Sequence, residues 1–560
     1  MIIDGRSIPD DSTIHADVCI VGGGPAGISL ALRLAERTQL RVVILESGGL
    51  VFDPTSQALA VGETTGLPYY PLHETRVRML GGSSQSWGGV CTPLDPTSME
   101  ERSWMPGGGW PFPSDTLDAY LDDALVRCGI TPEAQMADTA GHARKLAEWP
   151  LDASAVEPVL IHFGRPIRFG TYYRETLAVA ERVDVHLNST ATEIIAGEGG
   201  DGITEIVVRC VEGPTYRVSA SEFVLAGGGV ENVRLLLAST GRHADGIGNA
   251  RGMVGRCFME HPRVATRYRV RPGRTALGRF IGRGAAGTLR FSRVQIAPQI
   301  QRREELLSWH ANLYVGYVGQ DSPAWPSVRR IAIATRSPWN ESPFFQDGGG
   351  GRNRLRSSDV KAVLRRPVAG FLGALGAVAG PAPLRRWLEI VDSVEQVANP
   401  ENRIELTTER DALGMPRVRT TWHVDAAEER THRRSLEILL AQLERIEPGI
   451  SAARLDSDPW PRDIVGTWHH VGATRMSGDP ATGVVDADAR VHGIDNLHIV
   501  GSSVFSVSAS TSPTVAIVEL AHRLGDHLAQ RRARPAPMAS PSGAAEGSVA
   551  ESPQIHGTSC

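Results

Sequence analysis

Residues 16–49 read ADVCIVGGGPAGISLALRLAERTQLRVVILESGG, and this stretch decides the fold. The apolar run Val18–Val21 suits a strand buried on both faces, as in a parallel sheet. A glycine-rich turn follows, then an Ala-rich stretch with Leu30, Leu32 and Leu34 that predicts a helix. A second apolar run, Val42–Leu45, completes a βαβ unit, because parallel strands need a crossover between them. Gly22, Gly24 and Gly27 form G-x-G-x-x-G directly between the first strand and the helix. In such a turn one glycine permits the tight bend and another lets the backbone approach a pyrophosphate. The third lets helix and strand pack closely, while the helix N-terminus favours the phosphate charge. Glu46 ends the second strand, where a carboxylate accepts hydrogen bonds from ribose hydroxyls and repels a 2′-phosphate, which disfavours NADP. The predicted class is α/β, with an N-terminal Rossmann-like dinucleotide-binding domain.

Composition narrows the remaining possibilities. The chain has 560 residues, 41% hydrophobic and 22% charged, with a formal net charge of −5. Its length suggests two or more lobes. Lysine occurs only at Lys145 and Lys361, and no long basic run appears, which argues against a nucleic-acid partner. The six cysteines are scattered without a C-x-x-C pair, so neither a disulfide framework nor a thiolate metal site is expected. The N-terminus lacks a signal-peptide pattern, and no run reaches the ~18 apolar residues of a membrane span. The expectation is a cytoplasmic protein without a membrane span.

Further glycine-rich segments extend the nucleotide reading. Residues 78–90, RMLGGSSQSWGGV, place glycine pairs on either side of small hydroxyl residues, so that backbone can lie against a flat ligand. Residues 222–239, EFVLAGGGVENVRLLLAS, again read as strand, glycine turn and helix. Residues 104–182 are predicted mostly helical. The segments at 183–189, 203–213 and 215–229 are read as antiparallel strands returning to the first domain, and 265–455 alternates strand-like and loop-like patches. A loop is expected at 346–359, QDGGGGRNRLRSSD, and disorder in the Pro/Ala/Ser/Gly-rich tail.

Four blocks together resemble the glucose–methanol–choline (GMC) oxidoreductases. They are the opening βαβ unit, GGSSQSWGG, the pair VLAGGGVENVRLLLAS and GNARGMVGRCFMEHP, and the long C-terminal string that begins HHVGATRMSGD at His469. The resemblance runs from about residue 15 to 528 and looks closest to the bacterial sugar- and polyol-oxidising branch, with its pyranose oxidase-like and fructose dehydrogenase-like proteins. It implies a discontinuous FAD domain (1–103, 183–264 and 456–530), a β-sheet substrate domain (104–182 and 265–455) and a tail at 531–560. It also implies oxidation of a CH–OH group on a sugar, glycoside or hydroxylated natural product, by hydride transfer to flavin N5. The electron acceptor, whether O2, a quinone or a redox protein, is left open. So are a lyase-like non-redox activity and a dehydrogenase subunit that needs a separate acceptor partner.

Site residues follow from the same resemblance. His469 aligns with the family's proton acceptor, and imidazole suits that role because its pKa lies near neutrality. The neighbouring His470 is expected to pack behind it, since adjacent side chains of an extended stretch point to opposite faces. Ser512 stands where relatives carry Asn or His, and is the candidate partner that orients the substrate oxygen. SPT also reads as a helix start, with a capping hydroxyl followed by proline. Gly82, Ser83, Ser86, Trp87, Gly88, Gly501, Ser502, Pro513 and Thr514 join Gly22, Gly24, Gly27 and Glu46 as candidate FAD contacts. Ser86 occupies the place of the histidine that bonds covalently to FAD in pyranose oxidase-like members, so a non-covalent FAD is expected. No metal is expected.

Overall fold

A computed structural model describes residues 1–533 except 106, 164–165, 273–280, 284–288, 337–356 and 456. The tail beyond residue 533 and the glycine-rich part of the 346–359 loop lie outside the described residues. Ser357 and its successors already belong to a helix.

The opening segment forms β1 (Thr13–Val21), α1 (Pro25–Arg37) and β2 (Val42–Leu45). All four residues of β2 are buried, as two-sided burial of a parallel strand requires. Helix α1 starts at Pro25, whose fixed φ suits a first turn and whose missing N–H needs no partner there. Ile28, Leu30 and Leu34 are fully buried, each contributing roughly 1.5–3 kcal/mol. The sheet continues through β3 (Val183–Leu187), β4 (Thr190–Ala196), β5 (Ile203–Arg209) and β6 (Thr215–Leu225). Its order is Ile2–Asp4, β3, β2, β1, β6, β5, β4, with Leu497–Ile499 beside β6. Helix α2 (Gly228–Ala238) follows β6.

Residues 183–187 depart from the antiparallel arrangement expected of them: β3 pairs parallel with β2 and with Ile2–Asp4. Only β4, β5 and the first half of β6 form the antiparallel meander. The cause is connectivity, because β3 arrives after the long helical excursion and enters at the same end as β2.

A second sheet is built from β7 (Arg263–Arg269), β8 (Leu289–Ile296), β9 (Trp309–Tyr317) and β10 (Arg385–Val394), in the order β7, β10, β9, β8. One of its faces is apolar and buried, with Leu388, Ile390, Trp309, Leu313 and Val294 all at 0% exposure. Helix α3 (Ala426–Leu443) covers that face. Asp392 ties the two together, accepting from Trp309 Nε1 at 2.8 Å and lying 2.7 Å from His432 Nδ1. The other face displays Arg263, His310, Asn312, Arg293 and Gln295, since these alternate with the buried set.

The C-terminal helix Thr514–Ala533 returns to α1, where Arg33 pairs with Asp526 at 2.8 Å. Gly525 permits this approach, because a Cβ there would lie 2.8 Å from Arg33 Cγ. The five described cysteines are free and buried. Among the described residues no single helix is long and apolar enough to cross a membrane.

Candidate functional site

The glycine fingerprint closes as its spacing predicts. Gly22 has φ +115°, and a Cβ there would lie 2.5 Å from the Ala226 carbonyl of the neighbouring strand. A Cβ on Gly27 would lie 2.0 Å from the Gly22 carbonyl, so only glycine lets α1 approach the turn. Gly24 faces open space. The turn is thus packed underneath and free above, where the first N–H groups of α1 point.

Glu46 is buried at the end of β2, and its carboxylate accepts from Gly23 N at 2.9 Å and Gly48 N at 2.8 Å. Burial raises its pKa, while those two backbone donors pull it down. A carboxylate with two lone pairs per oxygen retains acceptor capacity for ribose hydroxyls. Beyond it, Arg78 bridges Ser47 Oγ (2.6 Å) and Glu231 of α2 (2.6 Å).

The segment 78–90 folds back over the phosphate turn. A Cβ on Gly82 would lie 3.1 Å from Gly24 Cα, which places the two backbones in near contact. Ser83 and Gly88 are exposed, and a Cβ on Gly88 would meet no other atom within 4 Å. The loop is pinned from behind, with Trp87 Nε1 donating to Ile167 O at 2.6 Å. Arg168 donates to the carbonyls of Ser84 and Trp87, each at 2.9 Å. Gly501 has φ +124° and would bring a Cβ within 3.9 Å of Ala26 at the start of α1. A packed glycine turn, an open helix N-terminus, an acid at the strand end and a glycine loop laid over them suit a dinucleotide such as FAD.

The histidine pair lies on a clamped segment beside an isolated bridge between Met259 and Val471. Met259 and Val471 exchange backbone bonds of 2.9 and 3.1 Å, and Gly472 N donates to Ser502 O at 3.2 Å. Ser502 Oγ donates to His470 O at 2.7 Å. Trp468 sits at φ +65°, so the stretch is not simply extended there. The two imidazoles nonetheless diverge. His470 is buried against Phe258 and Tyr69, and Gly229 of α2 packs so closely that a Cβ would meet His470 O at 2.3 Å. Burial, helped by the Arg76 charge, pushes its pKa down to about 3.

His469 is only half-buried and points elsewhere. Its Nδ1 lies 3.0 Å from His261 Nδ1, and His261 Nε2 lies 3.0 Å from the Ser508 carbonyl. A carbonyl only accepts, so His261 Nε2 carries the proton and His261 Nδ1 accepts. His469 must then donate from Nδ1, which leaves its Nε2 with the lone pair. A histidine's tautomer is set in this way by the bond its other nitrogen makes. Burial pushes His261 down to about 4, which keeps it neutral. His469 is also held well below the usual histidine range, first by burial and then by its imidazole neighbours His261 and His470 and the guanidinium charges of Arg263 and Arg293.

Glu260 fixes both histidines from below. It is fully buried and accepts from His261 N (3.1 Å), Thr467 N (2.9 Å), Thr467 Oγ1 (2.9 Å) and the Tyr69 hydroxyl. Neither Glu260 nor His261 was singled out by sequence reasoning, although both sit in the block GNARGMVGRCFMEHP. The signal was a second histidine in a family block, 208 positions before His469.

Ser512 is half-buried, and among the described residues no hydrogen bond joins it to His469. The last helix begins one residue later than the cap pattern implies. Ile517 N donates to Pro513 O at 2.9 Å, so Pro513 rather than Ser512 holds the cap position, and Thr514 opens the helix. The adjoining Ser510 Oγ meets the Oγ of Ser308, the residue before β9, at 3.1 Å. Among the described residues no His/Cys/Asp/Glu group has the makings of a metal site.

Comparison with known proteins agrees with this geometry. Over 93% of its length the chain is 21% identical to 2-methyl-1,2-propanediol dehydrogenase of Mycolicibacterium austroafricanum, covering 96% of that protein. It is 22% identical to paromamine 6'-oxidase of Streptomyces fradiae, with 92% of this chain and 91% of that one aligned. A match to the fructose dehydrogenase large subunit of Gluconobacter japonicus, at 24% identity, spans 58% of this chain but only about half, 50%, of that relative. Formate oxidase of Aspergillus oryzae RIB40 shares the fold, with a TM-score of 0.54 at 18% identity over 94% of this chain and 99% of that one. Residues 398–521 match the C-terminal domain of the GMC oxidoreductases. With residues 17–313, more than half of the chain, matching the FAD dependent oxidoreductase model as well, the chain belongs to the FAD-dependent oxidoreductases of the GMC family.

Proposed function

We propose that this flavoenzyme oxidises a CH–OH group on a sugar, glycoside or related hydroxylated molecule, with His469 Nε2 as the acceptor of the hydroxyl proton. Bound FAD supplies the acceptor for the hydride that leaves the carbinol carbon. The observation that carries the reading is the chain Ser508 O–His261–His469, which leaves the Nε2 lone pair of His469 free. Its other support is that relatives aligned over most of their length are named as a propanediol dehydrogenase and a paromamine oxidase.

The chain's own residues divide the work. His261 fixes the tautomer of His469 and keeps accepting from Nδ1–H when Nε2 takes a proton. The buried carboxylate of Glu260 holds the backbone on both sides. Ser512, on this reading, donates or accepts one hydrogen bond at the substrate oxygen and moves no proton itself. Gly22, Gly24, Gly27, Glu46, Gly82, Ser83, Ser86, Trp87, Gly88, Gly501, Ser502, Pro513 and Thr514 line the cofactor's path, and a serine at position 86 leaves FAD non-covalent. Residues 1–103, 183–264 and 456–530 hold the cofactor, while 104–182 and 265–455 shape the substrate cavity.

The test is anaerobic addition of a panel of sugars and alcohols to the purified yellow protein. Bleaching of the flavin band with at least one of them is expected. Product formed without any flavin change would favour the lyase-like chemistry instead. Parallel oxygen and dye readouts then identify the acceptor.

A further inference from the structure

Arg263 on β7 and Arg293 on β8 stand on the polar face of the second sheet. The register runs Arg263, Ser393, His310, Gln295 along one row, with Arg293 opposite Asn312 in the next. Arg293 is 5% exposed, yet its partners are neutral: Nε donates to Asn312 Oδ1 at 3.1 Å and Nη1 to Thr92 Oγ1 at 3.4 Å. Five other buried arginines, Arg33, Arg76, Arg78, Arg102 and Arg234, have carboxylates, and Arg475 is held by three backbone carbonyls. Arg102 pairs with Glu395, Arg234 with Asp411 and Arg33 with Asp526, at 2.7, 2.7 and 2.8 Å. Among the described residues neither Arg263 nor Arg293 has such a partner. Beside them, His310 is buried with no hydrogen bond at Nδ1. An uncompensated buried cation is costly, so a site of this kind is built for an anion that arrives later. Arg263 lies two residues beyond His261, and its backbone N–H donates to Val465 O at 3.0 Å, four residues before His469. After burial itself, both guanidinium charges depress His469, His261 and His310.

We propose that Arg263 and Arg293 bind an anionic oxygen group, carboxylate or phosphate, carried by the alcohol substrate. The preferred substrates are then hydroxy acids, sugar acids or sugar phosphates rather than their neutral parents. Arginine suits this role, since its planar fork matches both groups in bidentate geometry. The proposal rests on the alcohol-oxidising reading of the same site, but its first test does not require turnover. FAD-loaded protein is titrated with acetate, inorganic phosphate and acetamide, a neutral isostere of acetate, while the flavin spectrum is followed. Acetate or phosphate should perturb the spectrum and saturate, and acetamide should not. Arg293→Met and Arg263→Met should weaken anion binding on the order of 100-fold, with partial retention in Arg293→Lys.

In turnover, glycerol, glycerate and glycerol 3-phosphate, and glucose, gluconate and glucose 6-phosphate, form matched sets. An anionic member should lead its set in kcat/KM, and carboxylate or phosphate preference shows in which one. Arg293→Met should reduce that lead on the order of 100-fold, chiefly through KM. Equal binding of acetate and acetamide, or equal losses on neutral and anionic members, would overturn the proposal. Arginine-dependent acetate binding in a protein that oxidises no alcohol would instead sink the functional reading and leave the anion site standing. Should Arg293→Met fail to hold FAD, Arg293→Lys and Arg263→Met carry the same comparison.

A different surface supports a second inference. Helices Ser357–Arg365 and Pro367–Ala379 meet at a 98° bend on the outer side of the second sheet. The latter packs through its small residues; a Cβ on Gly376 would meet Tyr317 Cβ at 2.4 Å, and one on Gly373 the Trp325 ring at 3.0 Å. Its outer stripe is apolar and unburied, with Val368 70% and Phe371 67% exposed, and Leu364 beside them 71% exposed. Exposed Lys361, Arg365 and Arg366 flank the stripe. Apolar side chains flanked by cations match the boundary of an anionic lipid surface. We infer that this face rests on such a surface, without spanning it. The full chain should sediment with phosphatidylglycerol-containing vesicles, less at high salt, and not with pure phosphatidylcholine. Val368→Asp with Phe371→Asp should abolish this sedimentation without altering solution turnover. No vesicle binding, or binding indifferent to the double substitution, would overturn the inference. So would a dimer that the double substitution converts to monomer, since a second copy would then cover the face.

Discussion

The sheet around β1 presents its functional groups on the backbone, whereas the sheet of β7–β10 presents them on side chains drawn from distant strands. In the first, Gly22, Gly24 and Gly27 lie within six residues, and the spacing itself encodes the packing. In the second, Arg263, Arg293, His310 and Ser393 become neighbours only through strand register. A backbone site is therefore written locally. A side-chain site is written in the topology, and strand alternation alone does not say which face will line a cavity.

Breaking the first sheet should have the largest effect. Gly27→Val places atoms where the Gly22 carbonyl already lies 2.0 Å from a Cβ, so α1 must move off the turn. Loss of bound FAD and a destabilisation of about 3 kcal/mol or more are expected, read as flavin absorbance and a thermal midpoint. Retention of full flavin content would contradict the packing described.

The histidine pair at the second sheet should show the next largest effect. His261→Ala removes the acceptor that fixes His469, and flavin reduction should slow roughly 10–100-fold with FAD retained. His261→Asn should recover part of the rate, because an amide oxygen can accept from Nδ1–H. An equal defect in both variants would point to simple loss of packing.

The pH dependence follows from the same group of residues. On the proposed mechanism neutral His469 is the working form, and burial together with Arg263 and Arg293 opposes its protonation. The rate should therefore fall on the acid side only below the ordinary histidine pKa. Removing one cation, as in Arg263→Met, should move that limb upward. A limb that stays put would separate the arginines from the histidine.

Ser512→Ala should be the mildest change. A single hydrogen bond at the substrate oxygen is worth about 0.5–1.5 kcal/mol, or roughly 2–12-fold in rate. A much larger loss would assign the serine a direct part in proton transfer.

Much of this was legible in the chain. The βαβ unit and the strand-end acid located the nucleotide sheet, and the family blocks marked His469 as the candidate proton acceptor. What was not legible has physical causes. The parallel insertion of β3 depends on where a long excursion re-enters, and no local pattern records that. His261 lies far upstream of His469 and becomes its partner only because Met259 and Val471 pair. The start of the last helix fell one residue late because Pro513 O, rather than a serine hydroxyl, takes the first helical bond. The arginines had no sequence signal at all, since charge on a strand reads as solvent-facing until the opposite face is seen to be buried.

The most direct measurement is the rate of anaerobic flavin reduction by an active alcohol in His469→Ala beside the parent and His470→Ala. A loss of about 10²–10⁴-fold for His469→Ala with normal FAD content, far exceeding any loss in His470→Ala, is the predicted result. Comparable rates for His469→Ala and the parent would contradict the assignment of Nε2 as the proton acceptor.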